Sequence, residues 1–274
     1  MQTLTTIENA HLLFETRGSG PILVTCEDLL DYVCKFAPHP GKLFNEYLAS
    51  EFCKIWEIPT PETCFIRVLP EHIYDIRSTH VQPRYFENVC FGSKRLPYAK
   101  DVENLFVAIK NSNSDINKIE NKSDFLKIAL FDMWLSNDDR NTNNFNLMLN
   151  PAENGNHFYA IDHEAIFNSN NLENGIYQIN EMDSILNADL AKVLYRKSSK
   201  LNSDVENLLE NVYLCVLECR ENLDSILSFV PLEWGINIEE KNTLLQERLF
   251  SDQWLEETID NFKHILSTTL INRV

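Results

Sequence analysis

The polar run Ser136-Asn137-Asp138-Asp139-Arg140-Asn141-Thr142-Asn143-Asn144, set between two apolar segments, constrains this chain more than any other feature. Ahead of it, Phe125, Ile128, Ala129, Phe131, Trp134 and Leu135 mark a broad apolar face at helical spacing. Behind it, Asn144–Leu149 and Phe158–Ile161 read as two strands, with Pro151, Asn154, Gly155 and Asn156 supplying the turn between them. Pairing those strands returns Asp162 to a place beside Asn144. A chain that runs helix, polar loop, hairpin, carboxylate gathers Asp139, Asn144 and Asp162 at one end of the hairpin.

The segments before residue 100 have a different character. His11–Thr16 and Ile22–Glu27 read as strands separated by the turn signal Arg17-Gly18-Ser19-Gly20-Pro21, and Asp31–Phe36 as a third. Leu43, Tyr47, Phe52 and Ile55 give Leu43–Trp56 a helical period, which Ile58-Pro59-Thr60-Pro61 ends. Cys64–Leu69 and Val89–Leu96 read as further strands, Leu96–Leu105 as a connector, and the polar stretch after it as a loop or weak helix. Towards the C-terminus Val205, Leu208, Leu209, Val212, Tyr213, Val216 and Leu217 follow a helical stripe with Ser203 as its N-cap, and Leu255, Ile259, Phe262 and Leu266 repeat the pattern. The expected fold class is α+β, with a β-rich N-terminal lobe over residues 1–100 and a mainly helical C-terminal lobe over 101–274.

Composition limits the function classes. Hydrophobic residues at 44% supply a packed core. A formal net charge of −17 argues against nucleic acid or an anionic membrane as partner, so any nucleotide site must be locally positive. The 7 cysteines include no C-x-x-C pair and read as reduced core thiols. The N-terminal residues carry no basic stretch leading into a long apolar run, and the chain is expected to be cytoplasmic.

Asp139, Asn144 and Asp162 have the chemistry that phosphoryl transfer requires. A carboxylate must accept the proton of the attacking hydroxyl, and hard oxygen donors must hold Mg²⁺ against the phosphates. Asp139-Arg140-Asn141-Thr142-Asn143-Asn144 fits the D-x-x-x-x-N spacing of kinase catalytic loops. By spacing alone an Asx-rich surface loop is an equal alternative. The helix before, the hairpin after and the second carboxylate at its end favour the chemical reading. Lys35 on the third strand and Glu46 on the next helix stand where a phosphate-binding lysine and its ion-pair partner belong, although each alone could be a solvated side chain. Gly18, Ser19 and Gly20 lie where a phosphate-covering loop would sit, a position that a plain hairpin turn also explains.

These motifs resemble the HipA-like kinases, bacterial relatives of the protein-kinase superfamily. The resemblance also rests on Asn45-Glu46-Tyr47-Leu48-Ala49, Ile58-Pro59-Thr60-Pro61, Phe91-Gly92-Ser93 and Ala160-Ile161-Asp162-His163. It implies a bilobal kinase-like fold and an ATP- and Mg²⁺-dependent transferase acting on a serine or threonine hydroxyl of a protein. In its terms Asp139 is the catalytic base, Asn144 and Asp162 hold the metal, Lys35 binds phosphates with Glu46 as partner, and Ser19 is a candidate for autophosphorylation. A protein substrate and an antitoxin-like partner are the expected contacts. Asn141 stands where the family usually has His, and His163-Glu164 stand where ordinary kinases have Phe-Gly. A catalytically inactive binding module on the same scaffold, or a small-molecule kinase, are the alternatives.

Overall fold

Short strands rich in β-branched and aromatic residues assemble one curled sheet from the first third of the chain. The computed structural model describes residues 1–13, 20–36, 40–74, 76, 82–111, 118–195 and 199–271. The sheet contains β1 (Thr3–Thr5), β2 (Leu12–Leu13), β3 (Ile22–Thr25), β4 (Asp31–Lys35), β5 (Thr63–Arg67) and β6 (Cys90–Lys94), in the order β1-β5-β6-β4-β3-β2. β1 runs parallel to β5 and the other pairs are antiparallel. β1 was not anticipated, because Thr-Leu-Thr is too short to show a period. Gly18, Ser19 and His39 lie outside the described residues.

A second sheet, ordered β7-β8-β9, contains β7 (Lys100–Asp101), β8 (Leu147–Ala152) and β9 (Gly155–Ala160). The hairpin is longer than expected. Pro151 pairs with Asn156 and Ala152 with Gly155, so only Glu153 and Asn154 form the turn. Pro151 lies past the last β8 residue paired with β7, an edge position where a missing N–H is tolerated. Leu96–Leu105 is not a plain connector either, since it contains β7 and the start of helix α2 (Val102–Asn111).

Helix α1 (Gly41–Ile55) joins the sheet to the helical region and buries residues on nearly every side, from Leu43 to Cys53. Tyr47 packs on Phe65 of β5 at 5.4 Å and donates its hydroxyl to Ile226 O at 2.6 Å. Beyond its C-terminus Trp56 stacks on Trp134 at 5.4 Å, and Trp134 closes α3 (Ser123–Trp134). The helical region continues with α4 (Asp189–Tyr195), α5 (Leu201–Leu227), α6 (Ile238–Leu244) and α7 (Asp252–Leu266). Ser203 is not the N-cap of α5. Lys200 holds that place, and Ser203 donates back to Lys200 O from the first turn, at 2.9 Å. Trp134, Trp234 and Trp254 are core residues, and all seven cysteines are free thiols. Among the described residues no helix is long and apolar enough to cross a membrane.

Gly92 shows how tightly the curled sheet closes. It sits on the strand between β4 and β5, opposite Cys34 on one side and Cys64 on the other. A Cβ there would lie 2.3 Å from Ile66 Cδ1 and 3.1 Å from Cys64 Sγ. Gly92→Ala is expected to lower stability by about 1–3 kcal/mol through overpacking. Urea unfolding of the pair Gly92→Ala and Ile66→Val should show a double-mutant cost below the sum, because Ile66→Val removes the clashing Cδ1.

Candidate active site

Lys35 ends β4 with its side chain in the protein, only 8% of the residue exposed. An ammonium out of water needs counter-charges close by. Glu46 of α1 supplies one through a hydrogen bond from Lys35 Nζ, and Asp162 Oδ1 the other at 2.7 Å. Burial alone would push Lys35 down, but Asp162 and Glu46 outweigh it and keep the lysine charged. Burial likewise raises Asp162, yet Lys35 overrides it and holds this carboxyl down at about 2. Burial of Glu46 is less fully offset by Lys35, and its carboxyl is pushed up to about 7.

The same helix grips the segment that follows Asp162. Glu46 accepts the backbone N–H of His163. Asn45 Nδ2 donates to Glu164 O at 2.9 Å and to Ile166 O at 3.3 Å. Carboxylate oxygens of Glu46, Asp162 and Glu164 lie within 4.8 Å of one another. Asp162 itself has φ 59°, a left-handed turn of the backbone immediately after β9. His163 is a core histidine, edge-on to Phe131 and 3.8 Å from Cys53 Sγ.

The polar loop is pinned from beneath by Arg140. Its side chain is fully buried, with Nη1 donating to Asp132 of α3 and Nη2 to Ile161 O at 2.6 Å. Asn137 Nδ2 donates to the same Asp132 oxygen at 3.0 Å. Arg140 therefore ties the end of α3, the loop and the end of β9 together beside Asp162. Asn141, in the position where His was expected, closes the loop as an Asx turn. Its Oδ1 accepts the N–H of Asn143 at 2.9 Å and its Nδ2 donates to the carbonyls of Asp138 and Asp139 at 3.2 Å.

Above this base Asp139 Oδ2 accepts two amide hydrogens, from Asn144 Nδ2 at 2.9 Å and Asn146 Nδ2 at 3.0 Å. A carboxylate only accepts, so these bonds fix which way both amides face. Asn144, its nitrogen committed to Asp139, keeps its oxygen for another partner. Asn146, with φ 46°, also accepts the N–H of Ile161 at 3.1 Å, which brings the Asp139 cluster alongside the Asp162 loop.

After Glu164 the chain enters a short helical segment, Ile166–Asn170, in which Phe167, Asn168 and Ser169 have left-handed φ and ψ. It is strapped to the polar loop: Phe167 N donates to Leu135 O at 2.7 Å, Asn168 N to Ser136 O at 2.8 Å, and Ser169 Oγ to Asp138 Oδ1 at 2.9 Å.

The structure thus forms two linked groups, Lys35 with Glu46 and Asp162, and Asp139 with Asn144. Of Gly18, Ser19 and Gly20 only Gly20 is described, with φ 60°. Sequence reasoning missed Asn146, Asp132 and the structural part of Arg140. Asn146 gave no periodic signal, since it precedes β8 and turns with a left-handed φ of 46°.

The buried Asp132–Arg140 pair generates a stability test. Asp132→Ala leaves the guanidinium buried without its counter-charge and is expected to cost about 3–5 kcal/mol. Asp132→Ala combined with Arg140→Met removes both charges and should recover part of that loss. Chemical denaturation of the three variants measures it.

Solved structures similar to the whole chain include a crystal structure of a Helicobacter pylori proinflammatory kinase, CtkA. It is 15% identical, covers 98% of this chain and 99% of its own, and superposes with a TM-score of 0.54. At that identity the likeness speaks for the kinase fold. A search of curated proteins finds no match. The family model described as HipA-like kinase matches residues 15–264, nearly the full length, and the chain belongs to the HipA-like kinase family.

Proposed function

We propose that the protein is an ATP- and Mg²⁺-dependent phosphotransferase that phosphorylates a serine or threonine hydroxyl of a protein. The observation that carries this reading is the buried Lys35, held by Glu46 and Asp162, together with a loop in which Asp139 is oriented by Asn144 and Asn146.

Each residue has a part in that chemistry. Lys35 offers fixed positive charge to phosphate oxygens, and Glu46 keeps it in place. Asp139 takes the proton of the attacking hydroxyl as its oxygen bonds to the γ-phosphorus and the bond from that phosphorus to the bridging oxygen breaks, with the electron pair leaving on ADP. Two amide donors on one oxygen of Asp139 leave its other oxygen for the substrate. Asn144 and Asp162 would hold the magnesium. Their oxygens are the hard donors that this ion prefers, and the side chain of Asp162 is 38% exposed although one oxygen engages Lys35. When bound, magnesium neutralises phosphate charge. Ser19 is proposed as an autophosphorylation site, and an antitoxin-like protein as a further partner.

Transfer from γ-labelled ATP to a lysate protein or to the chain itself tests the reading. Asp139→Asn is expected to lower the rate by about 10²–10⁴-fold, the usual share of a general base. Asp162→Ala should abolish transfer. Equal labelling by wild type and Asp139→Asn would remove the base from the mechanism.

A thermal melt separates this reading from an inactive binding module. ATP with Mg²⁺ at about 100 times its Kd should stabilise wild type by about 2.7 kcal/mol. Asp162→Ala should lose the Mg²⁺-dependent part. A wild-type melt indifferent to nucleotide would favour the binding module.

A further inference from the structure

Helix α5 carries a surface that the phosphotransfer chemistry does not use. Its 27 residues pack on the core through Val212, Val216, Cys219 and Leu223. On the opposite side Tyr213, Leu214 and Leu217 are 53%, 64% and 48% exposed. At 3.6 residues per turn, Glu206, Glu210 and Glu221 fall on the same side as these three, so an apolar ridge is flanked along the helix by carboxylates.

Beside the ridge runs a groove of about 460 Å³, between α5, the end of α1 and the start of α3. Its lining is mixed, with Trp56, Leu208 and Cys215 among the apolar residues, Asn207 and Asn211 among the neutral polar ones, and Glu57, Asp204 and Glu218 adding carboxylates. Lys127 also lines it and donates to the carbonyl of Glu57 at 3.3 Å. Glu218 follows Leu214 by one helical turn, so ridge and groove form a continuous surface. Carboxylates exceed ammonium groups there three to one. Ile55, which also lines the groove, lies nine residues beyond Glu46, or about 14 Å along the axis of α1. The surface is therefore separate from the ion cluster.

We propose that this ridge and groove dock a basic amphipathic helix of another protein, its apolar stripe on Leu214, Leu217 and the Leu208 and Cys215 side chains of the groove, its lysines or arginines on Glu57, Asp204 and Glu218. Helix-in-groove recognition needs an apolar track for the anchors and charges that select the partner's sign. A second copy of this chain is a poor occupant, because two surfaces of a protein with net charge −17 repel each other. Such docking would hold a partner on this face independently of whether the chain transfers phosphate.

The test uses the full chain and a fluorescein-labelled synthetic helix with leucines at i, i+3, i+4 and i+7 and lysines elsewhere. Two control peptides replace the lysines by glutamates or the leucines by serines. Fluorescence anisotropy should show binding of the lysine–leucine peptide at least tenfold tighter than either control. Leu214→Ser with Leu217→Ser should weaken it at least tenfold, and so should Glu218→Lys. Glu256→Lys with Glu257→Lys, exposed acids on α7, should change it less than twofold. All of these positions are exposed, so the variants should melt like wild type. Absence of binding, binding untouched by the ridge variants, or an equal loss from the α7 variant would overturn the proposal. Sedimentation showing a dimer that Leu214→Ser dissociates would also overturn it, by giving the surface to a second copy.

Discussion

The buried ammonium of Lys35 is the constraint around which the rest of the structure is arranged. Removing such a charge from water costs several kcal/mol, and only close carboxylates with fixed geometry offset it. Glu46 reaches it from a helix and Asp162 from a loop far along the chain. Both must arrive together, so α1 is wedged between sheet and helical region, buried on nearly all sides. Asn45, the neighbour of Glu46, fastens that helix to the loop carrying Asp162.

Arg140 performs the matching task on the other side. It is fully buried, and its two terminal nitrogens bond to different parts of the chain. This base lets the backbone above it adopt unfavourable conformations. A left-handed residue other than glycine costs roughly 1–2 kcal/mol. Asn168 tolerates that conformation well, but Phe167 does not. Phe167 is held there by complete burial and by its bond to Leu135 O. The segment after Asp162 is thus shaped by the polar loop that it covers, and Asp138, next to Asp139, is fixed through Ser169.

Much of this was legible because periodicity carries it. The apolar stripe of α3, the alternation in the hairpin and the D-x-x-x-x-N spacing between them point to the helix, the strand pair and the contact of Asp139 with Asn144. The order of strand, lysine, helix and glutamate did the same for Lys35 and Glu46. What stayed hidden had weak local signals. β1 has three residues, and β7 has two and exists only because β8 lies beside it. Arg140 read as one of the spacer residues, since arginine is usually solvated and nothing in its neighbours announces that Asp132, a helical turn before the loop, waits beneath it. Ser203 failed as a cap because a good capping residue is also tolerated inside the first turn, where its hydroxyl can bond backward.

The acidic surface and the buried Lys35 carry opposite charge, and distance decides which of them a charged group meets. At physiological salt the field of an exposed carboxylate fades over about 8 Å. A charge beside Lys35 therefore responds chiefly to that ammonium and to Glu46 and Asp162, while the exposed carboxylates on the helices act on what approaches from outside. Those carboxylates disfavour the approach of polyanions such as nucleic acid and favour that of cationic groups, within the distance that this screening allows. A chain can thus hold one buried ammonium and many exposed carboxylates without either set cancelling the other. The two sets are kept apart by placing the lysine inside the sheet–helix junction and most of the carboxylates on helices that face water.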